Sequence, residues 1–469
     1  MNSYIYSFLS LLFASGFLWG IHLMNSPRTA VRGNMLGAVS MLGAILFTLI
    51  SHGIIGYGLL WLSIAAGGII GYIIAIRVSM IQMPQLVAFL NGLGGGASAI
   101  TAFVVLSNGM GRGSENAVVG GLAMAVGGIT FSGSMIAAGK LDRRIHQKPV
   151  VIRGHSSLSL TVLLLMIFLI VLIQVYTGVL STFISMIILA CSIFLGILFT
   201  IRIGGADMPV TISLLNSMSG LAASIAGFAI GNHLLVAAGA IVGSAGLILT
   251  RIMCRAMNRS LYEIIMGKTT LGHDTETVIQ TENFSNETEV LSSMTVEEKQ
   301  DTISRALSYL REAKTIVIVP GYGMALSQAQ EHVKKLFDIL VMQKKDVRFA
   351  IHPVAGRMPG HMNVLLAEVD IPYDKLYEME DINRLFSETD AVIVIGANDV
   401  VNSAAKTAKN TPIYGMPVLN VGEAKHVIVC NIDTKPGYSG VNNPLFKQSG
   451  TLLLLGDAKD MISKLIENI

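Results

Sequence analysis

Charge is what this sequence has least of. Only 13% of its 469 residues are Asp, Glu, Lys or Arg, about half the share of a soluble globular protein. That excludes a chain that is water-soluble along its whole length. The deficit is local, because most of the charge lies after Arg251. Cysteine is scarce as well. Cys191, Cys254 and Cys430 are far apart, which excludes a disulfide framework and a cysteine metal cluster and suits three unpaired thiols in a reducing compartment. The formal net charge of +3 says little about partners, since the basic residues are spent on topology. No nucleic-acid partner is expected.

What is abundant is apolar sequence, at 52%. A membrane span needs roughly 20 apolar residues. About nine are read, near 4–24, 34–51, 54–76, 84–107, 117–138, 157–175, 179–201, 209–230 and 232–252. The sixth and seventh are parted only by Tyr176, Thr177 and Gly178. Arg28, Arg32, Arg77, Lys140, Arg143, Arg144, Lys148, Arg153, Arg202, Arg251, Arg255 and Arg259 fall in alternate loops or just after the last span, and the other loops hold only Arg112. Because basic loops stay cytoplasmic, the N-terminus is expected outside and the C-terminal part inside. The first segment has no basic leader, so a retained anchor is expected. The pairs Gly67/Gly71, Gly227/Gly231 and Gly239/Gly243 suit close helix packing. The run Gly92-Leu-Gly94-Gly95-Gly96 is open to two readings, a helix loosened at mid-membrane depth or tight helix packing.

Three domains follow: a helical membrane bundle at 1–258, a polar acidic linker at 259–300, and an α/β domain at 301–469. In the last, Thr315–Val319 reads as a buried strand, Gly321-Tyr322-Gly323 as a tight turn, and Met324 to Leu340 as one helix. Strand, glycine turn and helix form a dinucleotide-binding unit, with the glycines letting backbone N–H groups approach a pyrophosphate. Further strands at 347–351, 391–395, 426–430 and 452–455 predict a Rossmann-like, doubly wound parallel sheet. The second strand ends in Ile351-His352-Pro353-Val354 without the carboxylate that usually reads an NAD ribose. Arg357 follows in a Gly/Pro-rich loop, suited either to phosphate oxygens or to pairing with a carboxylate.

The motifs Pro320-Gly-Tyr-Gly-Met-Ala, His352-Pro-Val-Ala-Gly-Arg-Met-Pro-Gly-His-Met-Asn, Ile395-Gly-Ala-Asn-Asp-Val-Val-Asn and Gly415-Met-Pro-Val-Leu closely resemble the β subunit of proton-translocating nicotinamide nucleotide transhydrogenase. So do Gly205-Ala-Asp-Met-Pro-Val and Cys254-Arg-Ala-Met-Asn-Arg-Ser in the apolar half. The resemblance runs over essentially the whole chain. It implies a bacterial inner-membrane subunit that binds NADP(H). An α subunit would carry NAD(H), in αβ units paired as a dimer of dimers. Hydride would pass directly from NADH to NADP⁺, coupled to inward proton movement. No protein nucleophile and no metal is required, because the cofactors carry the chemistry.

By that resemblance Gly321, Tyr322, Gly323, Met324 and Ala325 form the turn against the cofactor. His352, Val354, Ala355, Gly356 and Arg357 form a second contact, and Gly396, Asn398 and Asp399 a third. The loop bearing Asn431, Asp433, Lys435, Gly437 and Tyr438 resembles a lid over the nucleotide. Familiar members carry Lys-Arg-Ser after that strand to grip the 2′-phosphate; here the run is Asn431-Ile432-Asp433, with Lys435 further on. Asp399 is expected to couple proton transfer to cofactor binding, or else to cap a turn. Asn91 and Asn216 are read as lining a water path, or as interhelical hydrogen-bonding groups. Asp207 would link that path to the nucleotide domain, or cap a helix ahead of Pro209. Asparagine does not titrate near neutral pH, so a group on the α subunit would carry the proton. The rival reading is an ion channel or transporter regulated by a nucleotide-sensing domain; no Thr-Val-Gly-Tyr-Gly filter supports it.

Overall fold

The computed structural model describes residues 3–24, 27–78, 82–108, 114–142, 144–146, 149–176, 178–204, 207–256, 260–265, 296–356, 360–409, 411, 413–437 and 439–469. Most of the expected linker lies outside them. The chain divides into two compact units, one of Met1–Arg251 with Ile265–Gly267, the other of Ile252–Ile264 with Lys268–Ile469.

The first unit is helical: α1 (Ser3–Met24), α2 (Pro27–Ser51), α3 (Gly58–Arg77), α4 (Met83–Ser107), α5 (Ser114–Leu141), α6 (His155–Leu172), α7 (Val179–Ile201), α8 (Met208–Ala229) and α9 (His233–Ala256). Among the described residues, eight of these are long and apolar enough to cross a membrane; in α1 the apolar stretch, Phe8–Met24, is shorter. The chain is a multi-pass membrane protein. Helices are the expected solution here, since hydrocarbon offers the backbone no hydrogen-bond partners.

α4, α5, α7 and α8 form its centre. The run at 92–96 does not loosen α4, which continues through it as an α-helix. Instead it admits α5: a Cβ on Gly95 would lie 2.8 Å from Thr130 Cβ and 2.9 Å from Gly127 O. Gly239 and Gly243 work the same way between α9 and α8, where a Cβ on Gly220 would lie 2.5 Å from Gly243 N. Hydrogen bonds line that seam, from Ser217 Oγ to Gly243 O at 2.6 Å, from Ser224 Oγ to Val236 O at 3.1 Å, and from Thr250 Oγ1 to Ser213 Oγ at 3.0 Å. Gly67 and Gly71 depart from expectation, since added side chains there would meet nothing within 4 Å. Gly231 lies in the turn before α9 with φ 68, so it joins no helix seam either.

The second unit holds a six-stranded, all-parallel sheet in the order β3-β2-β1-β4-β5-β6. The strands are β1 (Thr315–Pro320), β2 (Asp346–Ile351), β3 (Leu376–Glu378), β4 (Ala391–Ile395), β5 (His426–Asn431) and β6 (Thr451–Leu455). β4 is buried at every residue, as a strand covered on both faces should be. Helices Val296–Glu312, Gln330–Met342 and Ala458–Asn468 pack together against β2, β5 and β6. A separate core gathers Val317, Val319, Val392, Val394, Val427 and Val429 under Ile382, Phe386, Val401, Leu419 and Leu445, which come largely from short 3₁₀ turns. Asp390 ties β1 to β4 at the sheet's N-terminal edge, accepting Lys314 N–H, Thr315 N–H and Lys425 Nζ. The hydrogen bond from Lys425 leads the causes that hold its carboxyl far below the usual range. Lys345 donates to Leu310 O, Arg311 O and Ala313 O, supplying the cation that a helix C-terminus favours.

The expected single helix from Met324 to Leu340 is two helices, Tyr322–Leu326 and Gln330–Met342. Gln328 takes φ 53 between them. Gln328 N–H reaches Ala325 O and Ala329 N–H reaches Met324 O, the pair of bonds that closes a helix with a left-handed residue.

The α8–α9 seam gives a test. Gly220→Val should overpack it and cost about 1–3 kcal/mol, seen as a lower Tm in detergent. Gly67→Val, in open space, should leave Tm unchanged. Equal effects would contradict the packing described.

Candidate nucleotide site and polar path

In the strand order found here β1 and β4 run side by side while their connections diverge, which opens a crevice at their C-terminal ends. Gly321 follows β1 and Gly396 follows β4. Gly321 N–H donates to Ile395 O at 2.8 Å, Gly323 N–H to Gly396 O at 2.8 Å, and Met324 N–H to Gly321 O at 3.1 Å. A Cβ on Gly323 would lie 2.6 Å from Gly396 Cα, and Gly396 has φ 65. These glycines therefore bring two loop backbones into contact. Their N–H groups are spent inside the fold, so the turn offers a ligand surface rather than a ring of donors. Met324 and Ala325 are buried beneath it, and the Tyr322 ring lies 6.4 Å from that of His361.

His352, at the end of β2, is 2% exposed. Its Nε2 is 2.8 Å from Pro417 O, and Val354 N–H donates to its Nδ1 at 3.2 Å. A carbonyl on one side and an N–H on the other fix the Nε2-protonated neutral form. Burial pushes its pKa down to about 4, against a smaller upward pull from the Pro417 carbonyl. Its role here is to tie the end of β2 to the loop at Pro417. Ala355 is buried, and Gly356 has φ 106. Arg357 lies outside the described residues, as does Tyr438.

The loop after β5 is pinned across the crevice. Asp399 Oδ2 accepts Ser439 N–H at 3.0 Å and Asp399 Oδ1 accepts Ser439 Oγ–H at 2.6 Å. A Cβ on Gly437 would lie 2.6 Å from that carboxylate, so glycine is required for the contact. Asn398 Nδ2 donates to Lys435 O at 2.8 Å, and Asn402 Nδ2 to Val441 O at 3.2 Å. Asn431 is buried, donates Nδ2 to Ala397 O at 3.0 Å, and leaves Oδ1 with no hydrogen bond among the described residues. Asp433 Oδ1 accepts Lys435 N–H at 3.0 Å, an Asx turn that holds the loop's curve. The Asp433 and Lys435 side chains are exposed. The sequence reading did not single out Asn402, and it placed Ser439 and Asn443 in the lid without their bonds to Asp399 and Asn398. Cys430 lies wholly buried on β5, its thiol pushed up to about 12 by burial, and so is unreactive.

The helical unit brings Asn91 and Asn216 to one level. α4 and α5 are antiparallel, Gly92 lying on Ser134 and Leu106 on Gly120. α8 also opposes α5: Lys140 bonds Ile203 O just before α8, while Gly133 lies on Leu215 within it. α8 therefore runs with α4, and Gly94 faces Ser219 at 3.4 Å. Asn91 and Asn216 each sit three residues earlier on these helices. Asn91 is 8% exposed, and its Nδ2 has no hydrogen bond among the described residues. Asp207 occupies the N-cap position of α8 ahead of Pro209, makes no side-chain capping hydrogen bond to the helix, and is 3% exposed. It lies nine residues before Asn216, about 13 Å along the axis.

The family model for the NAD(P) transhydrogenase beta subunit matches residues 6–468. A Rhodospirillum rubrum protein described as NAD(P) transhydrogenase subunit beta is 43% identical over 459 residues, covering 96% of each chain. A second sequence of that description, from a named strain of the same organism, matches equally.

Two outcomes follow from this geometry. Asp399→Ala should speed exchange of the Ser439 amide about tenfold by removing a hydrogen bond to a charged group; unchanged exchange would contradict the latch. The unfolded His352 takes up a proton near pH 6.5 and the folded one near pH 4. Stability should therefore be full above pH 6.5 and fall between 6.5 and 4, by up to about 3 kcal/mol. Amide exchange of β2 across that range should show the loss in the wild type, and His352→Gln should flatten it.

Proposed function

Because the chain belongs to the NAD(P) transhydrogenase β-subunit family, we propose that it is the NADP(H)-binding membrane subunit of a proton-translocating transhydrogenase. An α subunit supplies NAD(H), and two αβ units pair. The chain sits in a bacterial inner membrane with its N-terminus outside and its C-terminal domain in the cytoplasm, the side favoured by its basic loops. Residues 1–258 serve proton movement, 259–300 link, and 301–469 hold the nucleotide. The observation that carries this reading is the crevice at β1 and β4 overlain by a loop latched to Asp399.

The lining of the crevice suits a dinucleotide. Gly321, Tyr322 and Gly323 give it a flat wall at the switch point, with Met324 and Ala325 packed beneath. Val354, Ala355 and Gly356 border it, with His352 holding that loop from behind; Arg357, outside the described residues, is assigned to the cofactor's phosphates. Asn398 and Asp399 fix the lid, and the buried Asn431 Oδ1 leaves an acceptor open. Lys435 is the one cation between Asn431 and Asn443. Its backbone is held on both sides by Asp433 and Asn398, so its ammonium is presented from a fixed base to a phosphate. When bound, the nicotinamide supplies hydride transfer. The chain's residues bind it, orient it toward the partner's nicotinamide and exclude water.

For the proton, Asn91 and Asn216 orient water at one depth between α4 and α8. Asp207 stands at the start of α8, and Asp399 conveys the state of the lid. Because neither amide titrates, the proton is carried by a group on the α subunit. Inward proton flow favours NADPH formation. Membership of this family weighs against a regulated transporter.

Calorimetry on the detergent-solubilised chain tests the reading. NADP⁺ should bind more tightly than NAD⁺, and Lys435→Gln should weaken NADP⁺ about tenfold, the size of one charge-assisted hydrogen bond. A preference for NAD⁺, or binding of neither, would overturn it.

A further inference from the structure

In the helical unit Lys140 is fully buried and Asp207 nearly so, at 0% and 3% exposed. The sequence places only three carboxylates before residue 257, Glu115, Asp142 and Asp207. Among the described residues, Asp207 is the buried one and Lys140 the one fully buried cation. A buried ammonium in a membrane protein is costly and is retained where it does something.

What Lys140 does is visible at the end of α7. Its Nζ donates to Ile201 O at 2.6 Å, Ile203 O at 2.8 Å and Thr200 O at 3.4 Å. The last carbonyls of a helix have no partner within it and attract a cation. Here the cation comes from the end of α5 rather than from α7 itself. Two more bonds reach the same place, Val150 N–H to Ile201 O at 3.1 Å and His155 Nε2 to Leu198 O at 2.9 Å. The end of α7 is thus held by α5, by the α5–α6 connection and by the first residue of α6.

The turn fixed in this way delivers Asp207. Ile203 N–H bonds Thr200 O, and Asp207 N–H bonds Gly204 O at 3.2 Å. Thr211 Oγ1 then bonds Asp207 O at 2.9 Å in the first turn of α8. From Lys140 Nζ to the backbone of Asp207 the path runs through Ile203 and its neighbour Gly204, with no flexible side chain after Lys140 itself. Thr200 Oγ1 is buried beside this turn with no hydrogen bond among the described residues, and Gly133 packs on it, an added Cβ lying 2.9 Å away.

We infer that Lys140 is a positioning residue for proton coupling: its ammonium clamps the α7–α8 turn so that Asp207 keeps its place at the start of α8. This rests on the proposed role of Asp207 in a proton-translocating enzyme. Removing the clamp lets the turn relax, so protons and hydride lose step while the nucleotide site is untouched.

The test uses the full chain reconstituted with its partner subunit in proteoliposomes. Lys140→Met keeps length and removes the charge; Lys140→Arg keeps a cation for the carbonyls. Protons moved per hydride transferred are compared with hydride transfer in uncoupled vesicles. For Lys140→Met the ratio should fall about tenfold, the consequence of one lost charge-assisted anchor. Uncoupled transfer should stay within about twofold, and Lys140→Arg should recover most of the ratio. If Lys140→Met lowers pumping and hydride transfer in parallel, or leaves the ratio at the wild-type value, the inference is wrong. Should Lys140→Met fail to accumulate, an unimpaired ratio in Asp207→Asn removes the group Lys140 is said to position and overturns the inference. Wild-type hydride transfer without any pumping would overturn the functional reading itself.

Discussion

Backbone contact at glycine pairs holds each unit in the form its chemistry needs. In the helical unit Gly95 meets Gly127 and Gly220 meets Gly243, so α4 lies on α5 and α8 on α9 with no side chain between. In the sheet unit Gly323 meets Gly396, so the loops after β1 and β4 touch across the switch point. A Cβ at any of these places would separate elements that carry the functional residues. α4 carries Asn91, α8 carries Asn216 and Asp207, and the loop after β4 carries Asp399. Close approach also spends the backbone's hydrogen bonds. The turn at 321–324 donates inward, Ser217 and Ser224 of α8 answer carbonyls of α9 across their seam, and Thr250 of α9 answers the Ser213 hydroxyl.

A second constraint acts where elements end. Carbonyls at a helix terminus have no partner inside the helix, and this chain answers them with distant lysines. Lys345 closes the helix Val296–Glu312 from the start of the β2 connection, and Lys140 closes α7 from α5. The first lies in a soluble fold and serves stability. The second is wholly buried beside the turn into Asp207.

Much of this was legible in sequence. The helical spans were readable because hydrocarbon demands long apolar runs, and the central strands because β1, β4 and β5 are continuous runs of Val and Ile. β3 was not, because three residues of mixed polarity give no period. The glycine run in α4 left two readings open, because glycine weakens a helix in isolation; the packed α5 helix decides for the continuous one. The helix after the glycine turn misled because Gln328, a non-glycine residue, takes the left-handed conformation that divides it. In the site, Asp399 was readable as important from its place beyond β4, but its partner Ser439 lies forty residues on and only the fold joins them. Asn91 and Asn216 were singled out one by one; their common depth depends on α4 and α8 running the same way.

The central claim is that this chain binds one nicotinamide so that hydride passes to it directly from a second, in step with protons. It is tested most directly by reconstituting the chain with its NAD(H)-bearing partner in sealed vesicles and supplying NADH deuterated at the transferring position, with NADP⁺, under an imposed pH gradient. The account predicts that the deuterium appears in NADPH with none lost to water, and that reversing the gradient reverses its effect on the rate. Deuterium lost to solvent, or a rate indifferent to the gradient, would contradict it.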